Sequence, residues 1–262
     1  GLSSARVVYE APAEGDIPRF LLLYPVEEGI VKVGPVRSAR PYYLDWANEY
    51  SVPLYMHVGG SPEALQRLRA NEKVVNADEY FHSNWFWRSS DRRMPHNTYT
   101  NTERWQLAWE ENKDVTRDLL LGWVFDEKTP CEIDCVKEIT AAFLSPTYDA
   151  TWKYNASTTA YTRYQNYRQQ FDDDGTPILA NTIIVQMVKA ETIDDIGRKD
   201  IDTIGEGQAF VFRDGYITEG FWKKAIKTAR TRFVDTNGNE IPLKAGKIWI
   251  EVLPTYREVT WK

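Results

Sequence analysis

Pro53-Leu54-Tyr55-Met56-His57-Val58-Gly59-Gly60-Ser61-Pro62-Glu63 passes from a β-prone run through a glycine pair into a helix start. Pro53 to Val58 predicts a strand. Ser61 suits an N-cap, Pro62 the first helical turn and Glu63 the positive end of the helix, so a helix is expected through Ala70. On either side the alternation continues. Val7-Val8-Tyr9 and Phe20 to Tyr24 are apolar and β-prone. Arg40 to Tyr50 carries Tyr43, Trp46, Ala47 and Tyr50 at three- and four-residue spacing, the mark of a helix. A further helix is expected after Thr102, with Trp105 and Trp109 four apart.

Near residue 128 the pattern changes to strands: Val136–Phe143, Ala150–Tyr154, Ile183–Val188, Ala209–Phe212, Tyr216–Phe221 and Lys247–Val252. Asp214-Gly215 and Asn237-Gly238 lie between such runs and read as two-residue hairpin turns, which need positive φ. The expectation is an α+β chain of two domains, a mixed αβ domain over 1–127 and a β-rich domain with hairpins over 128–262.

Composition agrees with a folded chain. Of 262 residues, 42% are hydrophobic and 27% charged, and ten Trp and fifteen Tyr supply large rings for a core. The net charge of −6 repels a phosphate backbone, so no nucleic acid is expected as a partner. Arg37 with Arg40, and Arg88 with Arg92 and Arg93, are small clusters that suit a small anion. No apolar stretch approaches the ~20 residues that span a bilayer. No signal peptide is present, but the chain opens at Gly1-Leu2 as a processed protein would, which keeps an exported location open. Cys131 and Cys135 have no histidine near them and do not suit zinc. They form either a disulfide of an exported protein or two thiols.

Two constellations could carry function. Gly59, Gly60 and Ser61 at a helix start offer close backbone approach and first-turn N–H groups to an anion, with Arg37 and Arg40 supplying charge if the fold brings them near. The bland alternative is a tight turn and arginines bound to carboxylates. The loop Arg92-Arg93-Met94-Pro95-His96-Asn97-Thr98-Tyr99-Thr100 is dense in hydrogen-bonding groups. Arg93, Asn97 and Tyr99 could contact a ligand, and His96 could move a proton, unless these side chains serve the loop's own backbone. His57, at a strand end before the glycines, is the second candidate base. His82 lies among aromatics and reads as packing. The three histidines lack metal-ligand spacing, and neither a Gly-x-Ser-x-Gly elbow nor a phosphate-cradling loop occurs, so no metal and no cofactor is expected. Asp235 to Glu240 departs from a calcium loop and reads as a turn.

Val8-Tyr9-Glu10-Ala11, Gly34 to Pro41, His57 to Ser61 and Pro95 to Tyr99 resemble, in order, motifs of the YerB-like family of bacterial lipoproteins. So do Tyr161-Thr162-Arg163, Asn181 to Gln186, Gly205-Glu206-Gly207, Gly220 to Lys223 and Gly246 to Val252. The resemblance implies two α+β domains and an extracytoplasmic protein held to the membrane by a lipid on a Cys upstream of Gly1. It also implies a further strand before Gly1, and assigns no reaction. Gln170 stands where such proteins tend to carry a His, and Gln cannot exchange a proton near neutral pH.

Two functions are therefore expected. One is a cell-envelope binding or accessory module for an anionic or sugar-containing ligand or a protein partner. The alternative is an envelope hydrolase or transferase with His96 or His57 as general base.

Overall fold

The computed structural model describes residues 1–25, 29–70, 72–115 and 122–262. It is an α+β chain that divides into two compact units. The first comprises Gly1, Tyr24–Leu121 and Ile226–Arg230; the second comprises Leu2–Leu23, Gly122–Ala225 and Thr231–Lys262. The expected boundary at 127/128 lies close to the Leu121/Gly122 division, but the first two strands, β1 (Val7–Pro12) and β2 (Pro18–Leu23), belong to the β-rich unit. The reason is pairing. β1 runs parallel to Ile248–Pro254, with Val7 opposite Ile248 and Glu10 opposite Glu251.

In the first unit, α1 (Pro41–Ala47) opens on Pro41, whose missing N–H costs nothing at that position, and continues into a 3-10 turn over Asn48–Tyr50. Tyr42, Tyr43, Leu44 and Trp46 are all buried, so the helix is apolar nearly all round and is core. Next come β3 (Leu54–His57), α2 (Pro62–Arg69) and β4 (Val75–Asp78). β3 and β4 are parallel, with Leu54 opposite Val75 and His57 opposite Asp78, and α2 is their crossover. The Ser61 hydroxyl caps α2 by accepting from the Ala64 N–H at 3.4 Å. α3 (Thr102–Glu111) is capped by the Asn101 side chain and buries Trp105 and Ala108. Ala77, Trp85, Phe86 and Ala108 form a core cluster, with Val36, Leu54 and Met56 packed on it.

The second unit holds two sheets. The larger has seven strands in the order Arg232–Asp235, Tyr216–Lys224, Gly205–Arg213, Thr182–Val188, Ile248–Pro254, β1 and β2. Ile248–Pro254 is parallel to both its neighbours, and every other pair is antiparallel. The smaller sheet is antiparallel and centred on Glu138–Ala141, Ala150–Asn155 and Ala160–Gln165. The sheets meet through Trp152 on Trp249, with ring centres 4.9 Å apart, and Phe210 on Trp261 at 5.1 Å. Asp214 and Gly215 have φ of 52° and 81°, the expected two-residue hairpin turn. At Asn237-Gly238 only the glycine is left-handed. There the Asp235 carboxylate accepts from the N–H groups of Asn237 and Asn239, and the turn is built on that side chain instead. Cys131 and Cys135 form a disulfide with Cα atoms 5.6 Å apart.

Candidate functional site

A hollow of about 420 Å³ opens at the carboxyl ends of β3 and β4, beside the start of α2. Parallel strands crossed by a helix leave such a crevice, because each chain segment departs from the strand end toward the helix layer. Ser38, Val58, Gly59 and Gly60 form one wall. Leu65, Leu68 and Arg69 of α2 form another, and Asn76, Asp78, Tyr80 and Phe81 complete the lining.

The glycine pair has a steric origin. A Cβ on Gly60 would lie 3.2 Å from the Ala39 Cβ and 3.3 Å from its carbonyl oxygen. The 37–40 segment passes that close because it adds to the edge: Val58 N–H donates to the Arg37 carbonyl at 3.1 Å and Ala39 N–H to the Gly59 carbonyl at 2.9 Å. Gly59 sits at φ +57°, where a Cβ would also approach the Tyr80 ring to 3.0 Å. Gly59→Ala is expected to destabilise the protein by about 1–2 kcal/mol, the cost of a left-handed non-glycine residue, and to displace the Tyr80 ring. Chemical denaturation checks it; an unchanged midpoint contradicts it.

Asp78 is the polar centre of the hollow. It is 4% exposed. Its Oδ1 accepts from the N–H of Gly59 at 2.9 Å and of Tyr80 at 3.3 Å. Its Oδ2 has no hydrogen bond among the described residues, and the side chain lines the hollow. Arg69 is exposed at the end of α2, and its guanidinium has no hydrogen bond or ion pair among the described residues. The Ser38 hydroxyl is likewise unspent among them. Tyr80 and Phe81 are 71% and 77% exposed, an unusual state for two adjacent rings.

The sequence candidates divide. Gly59 and Gly60 line the hollow, whereas the Ser61 hydroxyl is spent on the helix cap. Arg37 turns the other way: its Nη1 donates to the Pro95 carbonyl at 2.9 Å and meets His96 Nδ1 at 3.0 Å. Arg40 is buried and donates to the Ala39 carbonyl at 2.6 Å. Asn97 is tied within its own loop, accepting from Arg88 at 3.3 Å and donating to the Ser89 carbonyl at 3.1 Å. Tyr99 is buried beside Trp87, its hydroxyl 3.5 Å from Arg92. Arg93 is exposed in that loop, outside the lining. The three segments thus do come together, but the 92–100 loop meets Arg37 and closes on itself, and only Ser38 of the 37–40 segment reaches the lining.

Neither candidate base lines the hollow. His57 is 1% exposed, with Nδ1 2.8 Å from the Gly59 carbonyl and Nε2 2.7 Å from Asn76 Oδ1. It stands 4.0 Å from Asp78 and stiffens the floor behind it. His82 stacks on Trp85 with ring centres 3.9 Å apart, the packing role expected of it. In the second unit, Gln170 accepts from the buried Arg163 and donates to Gln165 Oε1 at 2.5 Å, so it serves that arginine.

Sequence reading overlooked Ser38, Arg69, Asn76, Asp78, Tyr80 and Phe81. Val75-Asn76-Ala77-Asp78 is a four-residue strand whose alternation is too short to stand out. The usable signal was positional: a strand and a capped helix demand a parallel return strand, and Asp78 ends it.

A βαβ crevice in one unit and two facing sheets in the other define a two-part α+β protein with a hollow of small-molecule size. Residues 1–115 match the family described as "Protein of unknown function (DUF3048) N-terminal domain", and residues 139–250 match its C-terminal domain. The chain belongs to this family. It is 31% identical over 260 residues to "Putative lipoprotein YerB" of Bacillus subtilis (strain 168), covering 97% of this chain and 76% of that one. The crystal structure of YerB protein from Bacillus subtilis superposes with a TM-score of 0.85 at 26% identity, covering 99% of this chain and 88% of that chain.

Proposed function

We propose that this chain is the extracytoplasmic part of a membrane-anchored lipoprotein and that it binds a small polar ligand of the cell envelope in the β3–β4 hollow. The address is supported by the lipoprotein relative, and no described helix is long and apolar enough to cross a membrane. The observation that carries the binding reading is the set of unspent polar groups, Ser38, Arg69 and the second oxygen of Asp78, converging on one apolar-walled cavity. A carboxylate oxygen with no protein donor, on a side chain that lines a cavity, is open to a donor from a ligand.

Calorimetric titration with soluble wall fragments, which carry both sugar and stem peptide, tests this. Asp78→Asn is expected to weaken binding about tenfold or more, roughly 1.4 kcal/mol. The double variant Arg37→Ala/Arg40→Ala, altered outside the lining, is expected to bind as the parent does. Equal affinity for parent and Asp78→Asn would remove the hollow from consideration.

A further inference from the structure

The two charged side chains in the lining are of opposite sign and do not neutralise each other. Asp78 closes β4 near the start of α2, and Arg69 is the last residue of that helix. Eight residues of helix separate the ends by ~12 Å, less the reach of the arginine side chain. No ion pair joins them, and among the described residues Arg69 has no carboxylate partner. Asp78 is nine-tenths buried, and it is one of the residues that line the cavity.

Resting on the binding reading above, we infer that the ligand is a zwitterion, an amino acid or short peptide with a free amine and a free carboxylate. The amine faces Asp78. A carboxylate that accepts only backbone N–H groups on one oxygen leaves the other for an ammonium. The carboxylate of the ligand faces Arg69, whose planar fork matches it with two parallel hydrogen bonds. Val58, Leu65 and Leu68 between the poles accept small apolar side chains. A purely anionic ligand would meet the Asp78 charge, and a purely cationic one would leave Arg69 unanswered.

The test is calorimetric titration of the whole chain with alanyl-alanine, N-acetyl-alanyl-alanine, alanyl-alanine amide and N-acetylglucosamine. Alanyl-alanine is expected to bind at least tenfold tighter than either capped form. Asp78→Asn keeps the Oδ1 acceptor for Gly59 and Tyr80, so it folds, and should abolish discrimination against the acetylated peptide alone. Arg69→Gln, on the exposed helix end, should abolish discrimination against the amide alone. Wall fragments that bind while alanyl-alanine does not, or capped forms that bind as well as free ones, overturn the zwitterion and leave the hollow as the site. N-acetylglucosamine binding as tightly as the dipeptide does the same. If neither fragments nor dipeptide bind, both readings fall.

Discussion

Replacing Arg163 by methionine is expected to destabilise the β-rich unit by about 3–5 kcal/mol, the usual cost of stripping one partner from a buried ion pair. Arg163 is 0% exposed and its Nη2 lies 2.8 Å from both oxygens of Glu10, itself 0% exposed. The guanidinium lies over the Trp249 ring at 5.1 Å, with Trp152 at 5.9 Å and Phe20 at 5.7 Å. Methionine can fill part of that volume but gives Glu10 nothing. In thermal unfolding a loss of this size lowers the melting temperature by roughly 10 °C for a unit of this length. Glu10→Gln in the same molecule should recover much of it, because the stranded charge rather than the lost contact dominates. A drop of only a degree or two would show that water or rearrangement serves Glu10.

The second large effect is a change in pH dependence on Glu251→Gln. Glu251 stands opposite Glu10 on the neighbouring strand and accepts from Trp152 Nε1 at 2.7 Å. Burial first, and the Glu10 charge second, push its carboxyl well above the usual 4.5, against the smaller opposing pull of Arg163. Glu251 Oε2 has no hydrogen-bond partner among the described residues, and a hydrogen bond between the Glu251 and Glu10 side chains also raises its carboxyl. The folded protein therefore holds a proton that an unfolded chain has already released. Stability falls as pH rises from about 4.5 until it passes the raised folded value, and then levels off. Glutamine mimics the protonated form at every pH. Parent and variant should match below pH 4.5, and the variant should be the more stable from neutral pH upward. Urea midpoints across that range measure the difference; parallel curves would refute it.

What the sequence disclosed was local. Ser61, Pro62 and Glu63 encode the start of α2 with their own atoms, and Asp214-Gly215 encodes its hairpin in two φ angles. The glycine pair pointed to a close approach, and the Ala39 backbone is what approaches. Opaque were the features set by distant partners. Val7-Val8-Tyr9 reads the same beside any strand, and only tertiary pairing assigns it to Ile248–Pro254. Arg37 and Arg40 look available as letters, yet both are directed to backbone carbonyls that spacing cannot reveal. Glu10 and Glu251 gave no sign of sharing one dry interior, since a lone acidic residue in a strand ordinarily faces water.

The place of β1 between β2 and Ile248–Pro254 has a consequence for how the molecule is made. Synthesis delivers β1 and β2 before every other strand of their sheet, and they can pair at once as a hairpin. Its other side stays open until Ile248–Pro254 has emerged, after the other strands of the sheet have been made. An isolated hairpin is marginal in water, so β1 and β2 gain little lasting structure until that strand arrives. Under the export proposed above, that delay leaves the strand pair free to be threaded through a translocation pore before the sheet closes.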